Sequence, residues 1–124
     1  MTLLELMIVV IIVGIMATLA VNAFFGPTET AREREAQANL KLIASAEKIY
    51  RLENGQYIAL ADAARINQML RLMIPVDGRH WTYNVTVGGT NNSTFKATGV
   101  RAAGRESGKR YMINETLDEP VRMP

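Results

Sequence analysis

Residues 2–21 read TLLELMIVVIIVGIMATLAV, and across residues 1–25 the only charged side chain is Glu5. From Leu6 to Val21 the run is almost wholly apolar. As a helix rising about 1.5 Å per residue, residues 1–25 extend roughly 35 Å, enough to cross a bilayer core. Ile8, Val9, Val10, Ile11, Ile12 and Val13 are β-branched and form helix poorly in water. In lipid the backbone must satisfy its own N–H and C=O groups, and helix becomes the favoured state. Length and apolarity on every face predict a membrane-spanning helix rather than a strand or a buried soluble helix.

Glu5 is the anomaly in this stretch, because a carboxylate in an apolar helix costs several kcal/mol unless it is paired or neutralised. Three readings stand side by side. The α-amino group of Met1 lies four residues before it on the same face. A neighbouring copy's amine serves the same purpose in a packed assembly. Or Glu5 sits at the headgroup level, where an acid also suits the helix dipole.

Thr2, Leu3, Leu4, Glu5, the apolar run and Gly14 resemble the mature N-terminus of type IV pilins and type II secretion pseudopilins. The resemblance is strong over residues 1–25, moderate over 26–57 and architectural beyond. In that family a prepilin peptidase removes a short basic leader and N-methylates the new first residue. The resemblance therefore implies that the sequence begins at the mature terminus, that Met1 is the methylated residue, and that Glu5 pairs with a neighbour's N-terminal amine. It also implies that the apolar helix can unwind in a filament, with Gly14, Asn22, Gly26 and Pro27 as the soft positions. The chain departs from the family pattern twice. Met1 stands where Phe is usual, and Asn22 stands where a Pro is common.

At 124 residues the chain has room for one membrane helix and one small domain. We divide it into a transmembrane or polymerisation helix, residues 1–25, and a globular head, residues 26–124. The net charge of +2 is scattered over the C-terminal half, so no nucleic-acid groove is signalled. There are no cysteines, which excludes disulfides and thiolate metal sites. The head must rely on hydrophobic packing and on neighbours in an assembly.

Gly26-Pro27 predicts a kink or short break near residues 22–27. Thr30 and Glu33 have the spacing of a capping box at a new helix start. Residues 28–53 read as an amphipathic helix. Its stripe is Leu42, Ala46 and Ile49, widened by Ala36, Leu40, Ile43 and Tyr50. The charged face carries Arg32, Glu33, Arg34, Glu35, Lys41, Glu47, Lys48 and Arg51, with Glu47 and Arg51 spaced to pair. Asn54-Gly55 ends the helix, and Asn54-Gly55-Gln56-Tyr57 is similar to the family's N-G-x-Y ending. A short helix follows from Asp62, its cap, to about Met73. Ala63, Ile66, Met69, Leu70 and Met73 share one face, and Pro75 is the stop.

From Arg79 the apolar period changes to two. Trp81, Tyr83, Val85 and Val87 line one face of a first strand, and Phe95, Ala97 and Val100 one face of a second. Arg110–Glu115 is the third, and the tail 117–124 is expected to be irregular between Pro120 and Pro124. The fold class is α+β: a long N-terminal helix packed on a small three-stranded antiparallel sheet, with the Leu42/Ala46/Ile49 stripe as its cover.

No constellation of residues points to catalysis. His80 is the one histidine, and no nucleophile accompanies it. Gly88, Gly89, Gly99, Gly104 and Gly108 are turn residues, not a phosphate loop. Asp118 and Glu119, with Asp77 or backbone carbonyls, form a thin candidate for Ca²⁺, and otherwise no cofactor is expected. Asn84, Asn91, Asn92 and Asn114 each open an Asn-x-Ser/Thr triplet, an acceptor-like pattern that is also ordinary in strands and turns.

The reading is a structural subunit of a type IV pilus-like filament and not an enzyme. It waits in the inner membrane as a single-pass protein and is polymerised by assembly machinery after prepilin peptidase processing. Two alternatives remain: a pseudopilin of a type II secretion system, or a membrane-anchored module for DNA uptake or adhesion.

Overall fold

The computed structural model describes residues 2–124, apart from the side chains of residues 22–26. The chain divides into two compact units, Met1–Arg32 and Glu33–Pro124. Helix α1, Leu3–Asn54, contributes to both.

In the first unit the helix carries the apolar stretch Leu3–Val21, none of it buried. By length and composition this segment can span a membrane. The expected break at Gly26-Pro27 is absent, since Pro27 stands inside α1. Proline removes one donor and strains one turn. Helical sequence on both sides lets the helix propagate through that local loss. Thr30 therefore stands inside α1 and opens no new helix.

The second unit joins the C-terminal half of α1 to helix α2, Ala63–Leu70, and strands β1, Trp81–Gly88, β2, Thr94–Arg101, β3, Arg110–Asn114, and β4, Val121–Met123. They form one antiparallel meander in the order β1-β2-β3-β4. The sheet has four strands, not three, because the tail adds β4 to the edge, pairing Tyr111 with Arg122. Pro120 and Pro124 flank this strand without entering it, so neither costs a ladder bond.

Alternation places Trp81, Tyr83 and Val85 inward on β1, Phe95 and Ala97 on β2, and Tyr111 and Ile113 on β3. Val100 falls on the opposite, half-buried face; Gly99 and Arg101 are the inward neighbours. A Cβ on Gly99 would lie 3.2 Å from Cε1 of Tyr83 and 3.5 Å from Cδ1 of Leu40, so the helix and the tyrosine ring close over bare backbone.

The cover on this sheet differs from the expected stripe. Ala36, Leu40, Ile43, Ala44 and Glu47 are the buried positions of α1, whereas Leu42 and Ile49 are exposed. The helix is apolar on two nearly opposite faces. The acid at position 47 makes the inner face look polar in sequence, which shifts the apparent stripe to the outer one.

Helix α2 begins as expected, with Asp62 Oδ1 accepting the Arg65 N–H at 2.8 Å. It ends before Met73, at Arg71, whose φ of 56° is left-handed. Asn67 closes the following turn by donating from Nδ2 to the Ile74 carbonyl and accepting the Ile74 N–H, at 2.8 and 2.9 Å. Ile66 and Ile74 are buried, while Met69 and Met73 point to solvent.

Candidate functional site

The start of α1 is built by two side chains that face each other. Glu5 Oε2 accepts the Thr2 N–H at 2.9 Å and lies 3.3 Å from the Thr2 hydroxyl. In return the Glu5 N–H donates to Thr2 Oγ1 at 3.3 Å. This reciprocal pair is a capping box, Thr-x-x-Glu, at the true helix start. It satisfies donors that the first turn would otherwise leave bare. The Thr-x-x-Glu spacing is the sequence signal for this cap, although a charge in an apolar run also suits the Met1 amine four residues away. Met1 lies outside the described residues.

Beyond this cap, from Leu6 to Val21, the helix offers neighbours an almost wholly hydrocarbon surface. Leu3, Leu4 and Leu6 through Val13 expose about half or more of their surfaces, as do Ile15, Met16, Leu19 and Val21. Thr18 turns its hydroxyl back onto the Ile15 carbonyl at 2.7 Å, so it presents no free donor to lipid. Gly14 has no other group within contact distance of the position a Cβ would take. It stands within α1, as do Asn22, Gly26 and Pro27, and the side chains of 22 and 26 lie outside the described set. A surface of this kind fits lipid or the flank of another apolar helix.

In the head, polar ties join the loops to the helix. Glu33 binds Lys109 and accepts the Tyr111 hydroxyl at 3.1 Å, and Lys109 also pairs with Glu106 at 3.2 Å. The Lys109 hydrogen bond is the main cause that holds the Glu33 carboxyl below its ordinary range, against opposing desolvation. The same bond raises Lys109. Lys41 pairs with Glu119, which anchors the turn before β4. Arg101, almost wholly buried, donates from Nη1 to the His80 carbonyl at 2.8 Å and stands over the Trp81 ring. His80 thus takes part through its backbone. In a chain without cysteine these ties do the work of staples.

Glu47 does not pair with Arg51. It is completely buried, accepting the Ile58 N–H at 3.1 Å, and burial pushes its carboxyl up to about 7. Arg51 instead stands 4.9 Å over the ring of Tyr57 and reaches its hydroxyl. Tyr57, the last residue of the N-G-x-Y segment, is buried against Phe95 with ring centroids 4.7 Å apart.

Two of the three acidic residues that suggest a cation site, Glu119 and Asp77, are engaged elsewhere. Glu119 pairs with Lys41, and Asp77 bonds the Arg79 backbone and side chain. Among the described residues no group of three or more His, Cys, Asp or Glu side chains is placed to hold a metal ion. Of the Asn-x-Ser/Thr asparagines, Asn114 is occupied by an Asx turn to Thr116 and Leu117, while Asn91 is exposed at the β1–β2 turn.

No family model and no solved structure matches the chain. It is 29% identical over 127 residues to the type IV major pilin protein PilA of Myxococcus xanthus, covering 97% of this chain and 54% of that protein. It is 38% identical over 56 residues to the type II secretion system core protein G of Aeromonas hydrophila, covering 45% of this chain and 39% of the relative. The corresponding protein of Escherichia coli is 36% identical over the same length. The chain thus spans about half the length of the pilin and less of the secretion proteins. With the capped apolar helix and the helix-on-sheet head, the chain is similar to type IV pilins and type II secretion pseudopilins.

Proposed function

We propose that the chain is a structural subunit of a type IV pilus-like filament. The carrying observation is that the likeness to a major pilin runs along 97% of the chain, head included. On this reading Leu3–Val21 holds the subunit in the inner membrane and then exchanges lipid for the flanks of neighbouring helices. The exchange keeps apolar surface out of water in both states.

Prepilin peptidase methylates the Met1 amine, and the Glu5 carboxylate, already turned toward the first turn, receives the amine of an adjacent subunit. An ion pair in hydrocarbon is strongly position-specific, because any other register leaves a charge unpaired. Pilus assembly machinery supplies the work of extraction.

A second reading, a pseudopilin of a secretion system, draws on the higher identity to core protein G, although only 45% of the chain takes part. Electron microscopy of material sheared from cells expressing the chain separates the two. Long surface filaments containing it support the pilin. Filaments confined to the envelope support the pseudopilin. A monomer that never polymerises would sink both and favour an anchored binding module.

A further inference from the structure

The outer face of α1 in the head is apolar, uncovered and periodic. Ala38, Leu42, Ser45, Ile49 and Leu52 follow at alternating spacings of four and three, and all five are exposed. Leu42 exposes 51% of its surface, Ile49 57% and Leu52 87%. This alternation is the seam of a coiled coil, which a partner helix fills by knobs-into-holes packing.

The charges beside the seam identify the partner. Lys48 directly precedes Ile49 and Glu53 directly follows Leu52, so they stand on opposite rims. Both are exposed, and among the described residues neither has an ion-pair partner in its own chain. In a parallel pair, a residue before one seam position meets the residue five places later on the partner helix. That rule brings Lys48 of each copy to Glu53 of the other, twice by symmetry. An antiparallel pair would bring Lys48 toward Lys41.

We propose that two copies of this chain pair in parallel and in register along Ala38–Leu42–Ser45–Ile49–Leu52 while both are held in the membrane. Two heptads with Ala and Ser among five seam positions bind too weakly to associate at low concentration in solution. Confinement of both chains to one bilayer raises the effective concentration and removes much of that penalty. The inference rests on the membrane placement of Leu3–Val21 and not on the filament.

The absence of cysteine makes the test direct, because any introduced thiol is the only one. Full-length Ser45→Cys, Leu52→Cys and Lys96→Cys chains are oxidised in native membranes, Lys96 being exposed on β2. Both seam variants are expected to give disulfide dimers at about tenfold the yield of Lys96→Cys, since only facing thiols meet the geometry of the bond. In the Ser45→Cys background, Lys48→Glu lowers the yield about threefold, and adding Glu53→Lys restores it.

Equal yields at all three positions would overturn the pairing. So would cross-linking at Ser45 but not Leu52, which marks an antiparallel or crossed contact, or capture of a different protein in place of a second copy. Filaments are scored separately by electron microscopy. Filaments without seam cross-links overturn this pairing and leave the pilin reading; seam cross-links without filaments do the reverse.

Discussion

The carboxyl group of Glu47 holds the backbone N–H of Ile58 at 3.1 Å inside the core, so the end of α1 is tied to the chain that leaves it by one buried hydrogen bond. The other oxygen, Oε1, is buried without a hydrogen-bond partner among the described residues. A neutral acid suits that site better than a carboxylate.

The pH dependence of head stability follows from this. The folded group releases its proton near 7 and the unfolded group near 4.5. The folded state therefore binds the extra proton between those values. The contribution is fully present below 4.5 and is lost as pH rises through 7. The loss is on the order of 3 kcal/mol. Denaturant unfolding of the micelle-bound full chain is expected to show lower stability at about pH 8 than at about pH 5. Glu47→Gln should flatten that difference. An unchanged slope in the variant would assign the effect to another group.

Lys109 joins the loop before β3 to α1 through Glu33. Lys109→Met leaves the Glu33 carboxylate with the Tyr111 hydroxyl but no adjacent ammonium from that loop. We expect a loss of about 1–3 kcal/mol. Faster amide exchange should be confined to residues 102–109. Because the folded Glu33 pKa is depressed, its share is present above the ordinary carboxyl range and lost as pH falls through the folded value. If exchange rises equally in β1 and α2, the tie is not local as described.

Gly99→Ala should destabilise the head by about 1–2 kcal/mol through overpacking. Tyr83 cannot swing away cheaply, because its oxygen accepts Nδ2 of Asn39 at 3.1 Å. A variant as stable as the parent would show that the ring has room to move.

Thr2 and Glu5 allow capping and charge to be separated. Glu5→Ala removes both and should cost helix-start stability of about 1 kcal/mol. Glu5→Gln keeps an oxygen for the Thr2 N–H but carries no charge. If charge pairing with a neighbouring amine drives assembly, both variants insert in the membrane and neither makes filaments. Filaments from Glu5→Gln but not from Glu5→Ala would leave capping as the whole role.

How far sequence reading reached depended on whether a pattern had one solution. The strands were legible because alternation admits only two faces, and Trp81, Tyr83 and Val85 chose the inner one. The cap of α2 was legible for a similar reason, since Asp62 had a short helix directly behind it. The same spacing at Thr2 and Glu5 was less legible, because a charge in an apolar stretch also suits a partner outside the turn. Strand β4 was not legible because three residues within the tail have too little pattern of their own; they pair as a strand along the edge of β3.

Sequence alone determined that the segment can span a membrane, since the nineteen residues from Leu3 to Val21 carry no charge other than Glu5. It also determined the α+β class and the helix end at Asn54-Gly55, which depend on local periodicity and backbone freedom. Tertiary structure alone decided which side of α1 meets the sheet. Two apolar faces compete on that helix, and the choice belongs to the partner surface. Closure over Gly99 and the Tyr83 ring favours Leu40, and the bond to Ile58 offsets part of the cost of burying Glu47. The face left outside, Leu42 and Ile49, owes its exposure to that choice.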